Sequence, residues 1–153
     1  LRGAGLKSIA TLPDVRLDAL NDGRAAMSET AYRRARHVVT ENARTVEAKA
    51  ALSAGDAERF GALMNASHDS LRADYEVTGE ALDALVDGAR ELPGCFGARM
   101  TGAGFGGCTI NLVAEEEAER FTEALRDVYA RRCGKSARIF RAAPGGGSFA
   151  ESV

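Results

Sequence analysis

Hydrophobic positions recur with a helical period as far as residue 90 and then switch to shorter, strand-like runs. Ser28 stands where a helix cap belongs, ahead of an apolar line of Ala31, Ala35, Val38, Val39, Val46 and Ala50, which predicts a helix to about Leu52. Arg33, Arg36, His37, Thr40 and Arg44 fall on its opposite face, while Asn42 falls inside the apolar line. A buried Asn needs hydrogen-bond partners, so Asn42 is expected to tie the helix to a neighbour or to lie near a ligand. Ser53 to Asp56 reads as a turn, with Asp56 capping a second helix buried through Phe60, Leu63, Met64, Ser67 and Leu71. The short connection predicts an antiparallel pair. Asp74 to Val77 reads as an extended or irregular crossing, followed by a third helix from about Gly79 to Arg90 that buries Leu82, Leu85, Val86 and Ala89.

Leu92-Pro93-Gly94 ends that helix, and the period then changes. Residues 96–100 read as a strand, residues 101–107 as a glycine-rich loop and Cys108 to Val113 as a second strand. Glu115 to Arg132 reads as a last helix, its early glutamates suited to a helix amino end, with Phe121, Ala124, Leu125, Val128 and Tyr129 facing inward. A further strand is expected near Ala137 to Arg141, ahead of a tail containing Pro144-Gly145-Gly146-Gly147. Residues 1–27 form a poorly assigned lead-in, read as a short helix or two with turn signals at Pro13-Asp14 and Asn21-Asp22-Gly23. The strands lack the long apolar runs of a parallel sheet, which predicts an α+β domain with helices packed on a small antiparallel sheet.

Composition narrows the functional classes. At 153 residues the chain has the length of one domain, and 45% hydrophobic with 27% charged residues is an ordinary globular mixture. A net charge of -2 supplies no concentrated basic face for nucleic acid. No run approaches the roughly 18 apolar residues of a membrane span, and no secretory signal opens the sequence, so a cytoplasmic location is expected. Cys95, Cys108 and Cys133 are 13 and 25 residues apart, which fits neither a CxxC metal site nor an even disulfide framework. They are expected to be reduced thiols that pack as small hydrophobes.

The strongest chemical signal is Thr101-Gly102-Ala103-Gly104-Phe105-Gly106-Gly107, with four glycines in seven residues between two strands. A hairpin needs only one or two such residues. Glycine admits positive φ and close backbone approach, and successive N–H groups in such a loop can cradle an anion. The segment lacks the terminal Lys of a P-loop and the following helix of a dinucleotide fingerprint. By spacing alone it is open to two readings, proximity to phosphate or substrate and a tight structural turn.

The run GARMTGAGFGGCTINL, Gly97 to Leu112, resembles the third conserved motif of the GHMP kinases, and its Arg-Met-Thr-Gly and Phe-Gly-Gly-Cys parts resemble the galactokinase form. RRARHVVTENARTVEAKAAL (Arg33 to Leu52) and SLRADYEVTGEALDALV (Ser70 to Val86) are similar to galactokinase segments in the same order. Ala103 departs from the third consecutive glycine common in galactokinases, and Thr-Gly-Ala-Gly is similar to mevalonate kinases. An Ala there is expected to have φ below zero, or to tolerate a small Cβ, because the left-handed region costs it about 1 kcal/mol or more.

The resemblance implies a ferredoxin-like GHMP kinase carboxy-terminal domain over residues 1–153, with the amino-terminal catalytic domain absent. It implies ATP and Mg2+ as cofactors, both bound mainly by that absent domain, galactose as substrate and galactose 1-phosphate as product. Gly102, Ala103, Gly104, Phe105, Gly106 and Gly107 are then the cofactor-binding candidates, supporting phosphates at the floor of a composite cleft. No catalytic residue and no metal ligand is assigned within the chain, so the chain alone is expected to be inactive and its partner is the amino-terminal kinase domain, in the same or a second chain. The opening at Leu1 without Met is compatible with a fragment. The alternatives are a mevalonate-type or other GHMP kinase half, or a noncatalytic binding or regulatory module on the same scaffold.

Other residues carry weaker expectations. Asp74 beside Arg72 reads as a local ion pair or turn acceptor, and Glu76 as an ionisable group in the same block. Arg99 reads as a surface charge or as support for Asp74 or Glu76. His37 is expected to be solvated or docked to another segment, and His68 to lie near the edge of its helix's inner face. Arg33, Arg34 and Arg36 read as a solvated helical face among glutamates, with phosphate attraction as the other option.

Overall fold

The computed structural model describes residues 11–143. The lead-in forms single helical turns at Leu12–Asp14 and Arg24–Ala26 around a short helix α1, Leu17–Asp22. The long helix α2, Glu29–Ala54, starts where Ser28 Oγ accepts from the Ala31 N–H at 3.2 Å. It stops at Gly55, whose φ of 70° only glycine adopts freely. Asp56 then caps α3, Ala57–Ser70, by accepting from the Arg59 N–H at 2.9 Å. The pairs His37–Ser70, Glu41–Ser67 and Glu47–Arg59 descend along one helix as they ascend the other, so α2 and α3 are antiparallel.

The segment after α3 is not extended. Leu71–Tyr75 continues α3 as one π-helical turn, and the Val77 N–H closes it on the Leu71 carbonyl at 3.2 Å. Helix α4, Glu80–Arg90, leads to strands β1, Cys95–Thr101, and β2, Cys108–Val113, which pair antiparallel from Thr101 opposite Cys108 to Cys95 opposite Val113, with an irregularity at Phe96. Helix α5, Ala118–Cys133, follows one 3-10 turn at Glu115–Glu117.

The helices α4 and α5 cover one face of the sheet, where Val86, Ala89, Phe121 and Leu125 bury Ala98. Leu71, Leu82 and Met100 form a second apolar cluster under the π turn, and Val15, Leu20, Tyr32, Ala35 and Val39 a third between the lead-in and α2. Helix α3 occupies the edge of β1 that β2 leaves open. Asn65 Oδ1 accepts from the Ala98 N–H at 2.9 Å, and His68 Nδ1 from the Met100 N–H at 3.2 Å. One step earlier the backbones touch, since a Cβ on Gly97 would strike the Gly61 carbonyl and a Cβ on Gly61 the Phe96 carbonyl. Seven helical residues advance about 10.5 Å and three strand residues about 10 Å, so the stripe Gly61, Asn65, His68 stays in step with Gly97, Ala98, Met100. Arg90 completes the seam by donating to Asn65 Oδ1, the Asn65 carbonyl and Asp69 at 2.7–2.8 Å.

The α+β architecture is as the pattern predicts, with local corrections. Residues 137–141 form no strand: Ile139 packs on the α4–α5 core, but Phe140 is 74% exposed and no described strand pairs with the segment, so its alternation has no ladder to join. Asn42 is exposed although it lies only about 20° round the helix from buried Ala35, because the apolar cluster between the lead-in and α2 ends at Val39. Val46, placed inward by the periodicity, is 73% exposed because the lead-in cluster covers that face of α2 only as far as Val39. Cys108 is exposed, whereas Cys95 and Cys133 are partly buried, and all are free thiols. The glycine tail at residues 144–147 lies outside the described residues.

Candidate functional site

The glycine loop leaves β1 at Thr101 and returns at Cys108. Its φ changes sign repeatedly, being 71° at Gly102, 61° at Phe105 and 140° at Gly106, while Ala103 avoids the positive region as its Cβ requires. Two glycines are needed for close approach. A Cβ on Gly104 would enter the Val77 carbonyl, and one on Gly107 the Ala103 carbonyl. Gly102 and Gly106 face open space, so their positive φ is the reason they are glycine. Phe105 presents its ring to solvent at 80% exposure while its N–H turns inward to the Val77 carbonyl at 3.0 Å.

Val77 connects the loop to a polar cluster whose members lie about 40 residues apart in the chain. Arg33 donates to the Ala73 carbonyl at 3.1 Å and to Glu76 at 2.8 Å; Arg34 reaches the Asp74 carbonyl and, at 2.5 Å, Glu76; Arg36 pairs with the Asp74 carboxylate. These arginines are therefore docked, not a solvated face, because the π turn presents carbonyls and carboxylates to them. Asp74 is buried and does not pair with Arg72, which instead meets Asp83 at 3.2 Å and Asp87 at 3.1 Å. The Arg34 and Arg33 hydrogen bonds hold Glu76 below the usual carboxylate range.

His37 is docked. Ser70 Oγ donates to Asp74 at 3.1 Å, which leaves the His37 Nδ1–H to donate to Ser70 Oγ at 3.0 Å. Its ring stacks on Tyr75 with centroids 4.6 Å apart, and burial lowers its pKa. The relay ends in a carboxylate already held by Arg36 and presents no nucleophile to solvent. His68 lies deeper than the edge of its helix face, with no exposed surface. Accepting from Met100 puts its proton on Nε2, which faces Asp83 Oδ1 obliquely at 3.2 Å, and burial lowers its pKa as well. Arg99 supports neither Asp74 nor Glu76; it stands opposite Ile110 on the sheet face away from Ala98, its Nε buried without a partner.

Arg34, Ser70, Val77 and the Gly61–Gly97 contact carry roles that periodicity does not signal. The sequence cue to Arg34, Ser70, Val77 and Gly97 is that they fall in the three family-like blocks, Arg33 to Leu52, Ser70 to Val86 and Gly97 to Leu112, and a backbone carbonyl such as that of Val77 leaves no mark on residue type. Among the described residues no group of three or more His, Cys, Asp or Glu could hold a metal ion. No helix there is long and apolar enough to cross a membrane. For a phosphate the described loop offers backbone N–H groups and no cation of its own.

Comparison with known proteins agrees with this geometry. The family described as GHMP kinases C terminal matches residues 48–131. The chain is 56% identical over 110 residues to a galactokinase of Enterococcus faecalis, covering 72% of this chain and 28% of that protein. It is 46% identical over 143 residues to a galactokinase of Lactococcus lactis, covering 94% and 35%. The crystal structure of Lactococcus lactis galactokinase complexed with galactose superposes with a TM-score of 0.81 at 43% identity, covering 87% of this chain and 36% of that one. The L. major mevalonate kinase in complex with R-mevalonate gives 0.57 at 26% identity, covering 91% and 39%. The chain thus spans about a third of the length of the curated galactokinases it matches.

Proposed function

Since the chain belongs to the GHMP kinases, through their carboxy-terminal domain, we propose that residues 1–153 are the carboxy-terminal part of an ATP-dependent galactokinase that converts galactose to galactose 1-phosphate. The observation that carries this reading is the likeness to galactokinases, closer in both identity and superposition than the likeness to a mevalonate kinase. The cytosol, which keeps thiols reduced, is the proposed compartment.

Phosphoryl transfer is largely positioning and electrostatics. Bound ATP with Mg2+ supplies the transferable phosphoryl group and neutralises its charge. In this reading an amino-terminal domain holds both, together with galactose. The present chain contributes residues Gly102 to Gly107, whose N–H groups, apart from that of Phe105, border the phosphates and whose glycines let the backbone come close. Val77 keeps the loop at that border through the Phe105 N–H.

A chimera tests the assignment. The amino-terminal portion of the Enterococcus faecalis galactokinase is joined to this chain, and ATP-dependent phosphorylation of galactose and of mevalonate is measured. Galactose 1-phosphate from the chimera, with no turnover by the 153-residue chain alone, is the expected result. A folded, ATP-binding chimera that phosphorylates mevalonate, or neither acceptor, overturns it.

A further inference from the structure

Among the described residues the two non-glycine residues with positive φ are Glu76, at 56°, and Phe105, at 61°. They stand on opposite sides of one hydrogen bond, from the Phe105 N–H to the carbonyl of Val77, the residue after Glu76. Left-handed backbone at a side-chain-bearing residue persists only where the surroundings over-determine it. For Glu76 the surroundings are Arg33 and Arg34, which hold its carboxylate from both sides. For Phe105 they are the Val77 carbonyl and the seat of Gly104 against the same atom.

The π turn explains why the arginines are needed. Carbonyls at a helix end have no intrahelical partner. Those of Ala73 and Asp74 are taken by Arg33 and Arg34, and Arg36 holds the Asp74 side chain. Glu76 then reverses the chain, and the next carbonyl, that of Val77, points at the loop. We propose that Arg33, Arg34 and Arg36, gripping Asp74 and Glu76, form a clamp that sets the position of the glycine loop through the Val77 carbonyl. They are positioning residues that touch no phosphate. A solitary surface ion pair would not suffice for this, but a fork from one helix onto two carbonyls and two carboxylates fixes both the place and the direction of the turn. The kinetic consequence rests on the galactokinase reading; the mechanical one does not.

Amide hydrogen exchange on the 153-residue chain tests the mechanical part. Glu76→Gln removes the shared charge, and exchange of the Phe105 amide is expected to speed about tenfold while α5 stays protected. Arg72→Gln, on the same turn but paired with Asp83 and Asp87, leaves Phe105 unchanged. Unchanged Phe105 exchange in Glu76→Gln, with residues 73–77 loosened, overturns the clamp. Should that variant lose protection throughout, the unsubstituted chain at about 1 M salt, where the Debye length is about 3 Å, serves instead. Faster exchange at Phe105 relative to α5 supports the clamp, and an unchanged ratio overturns it. In the two-domain enzyme Glu76→Gln should raise KM for ATP about fivefold, which a loss of folded enzyme would not do, and Glu76→Asp should restore part of it. Faster exchange with an unmoved KM upholds the clamp and tells against the phosphate role of the loop.

Discussion

The two sides of β1 are held by different physics. On the side of α4 and α5, Ala98 lies under Val86, Ala89, Phe121 and Leu125, a contact with no direction beyond shape. Along the edge facing α3, Asn65, His68 and Arg90 hold β1 by hydrogen bonds, and a Gly61–Gly97 contact lets the backbones touch. The apolar side supplies bulk stability that many side-chain combinations would satisfy. The polar edge fixes where β1, and so the loop that follows it, sits along α3. Its cost is sensitivity to single atoms and to protons.

That contrast can be broken by substitution. Gly61→Val drives a branched side chain into the Phe96 carbonyl, and since backbone cannot step aside as a side chain does, it is expected to cost well over the ~3 kcal/mol of ordinary overpacking and to prevent folding, read by loss of a cooperative urea transition. Leu125→Ala removes a side chain of 1% exposure from the apolar side and should cost about 3 kcal/mol by the same measurement, with the fold retained. A Leu125→Ala loss larger than that of Gly61→Val would reverse the ranking of the two sides.

Protons give the smallest and most selective test. His37 and His68 both have pKa values lowered mainly by burial, so the unfolded chain binds protons more readily than the folded one once pH drops below the ordinary imidazole range. Their contribution is therefore intact above about pH 6.5 and is lost as pH falls from there toward the folded pKa, at up to about 1.4 kcal/mol per pH unit per histidine. Protonating His68 Nδ1 also removes the acceptor of the Met100 N–H, so that amide should exchange faster at pH 5.5 than Ala98 after correction for intrinsic rates. Stability that is flat between pH 7.5 and 5.5 would show that neither histidine titrates with folding.

Much of this was legible in residue order. Ser28, Gly55 and Asp56 mark helix ends because caps and left-handed stops need those residue types, and the apolar stripe of α4 predicts Leu82, Val86 and Ala89 in the core. The glycine loop stands out because four glycines exceed what a hairpin uses. Periodicity failed where burial depends on the length of neighbouring elements, as at Val46, and where alternation needs a partner strand, as at Ile139 and Phe140. It also misread the arginines, since charge spacing on one helix does not reveal which carbonyls another segment will present.

The sequence by itself determined the helices and strands, the glycine loop and the family resemblance, because each rests on residue types close together in the chain. Only the tertiary structure decided that α3 seals β1, that Arg33, Arg34 and Arg36 are bound to the π turn, and that the loop hangs from the Val77 carbonyl. Those facts depend on backbone groups, which every residue carries alike, and on contacts between segments some 28 to 43 residues apart.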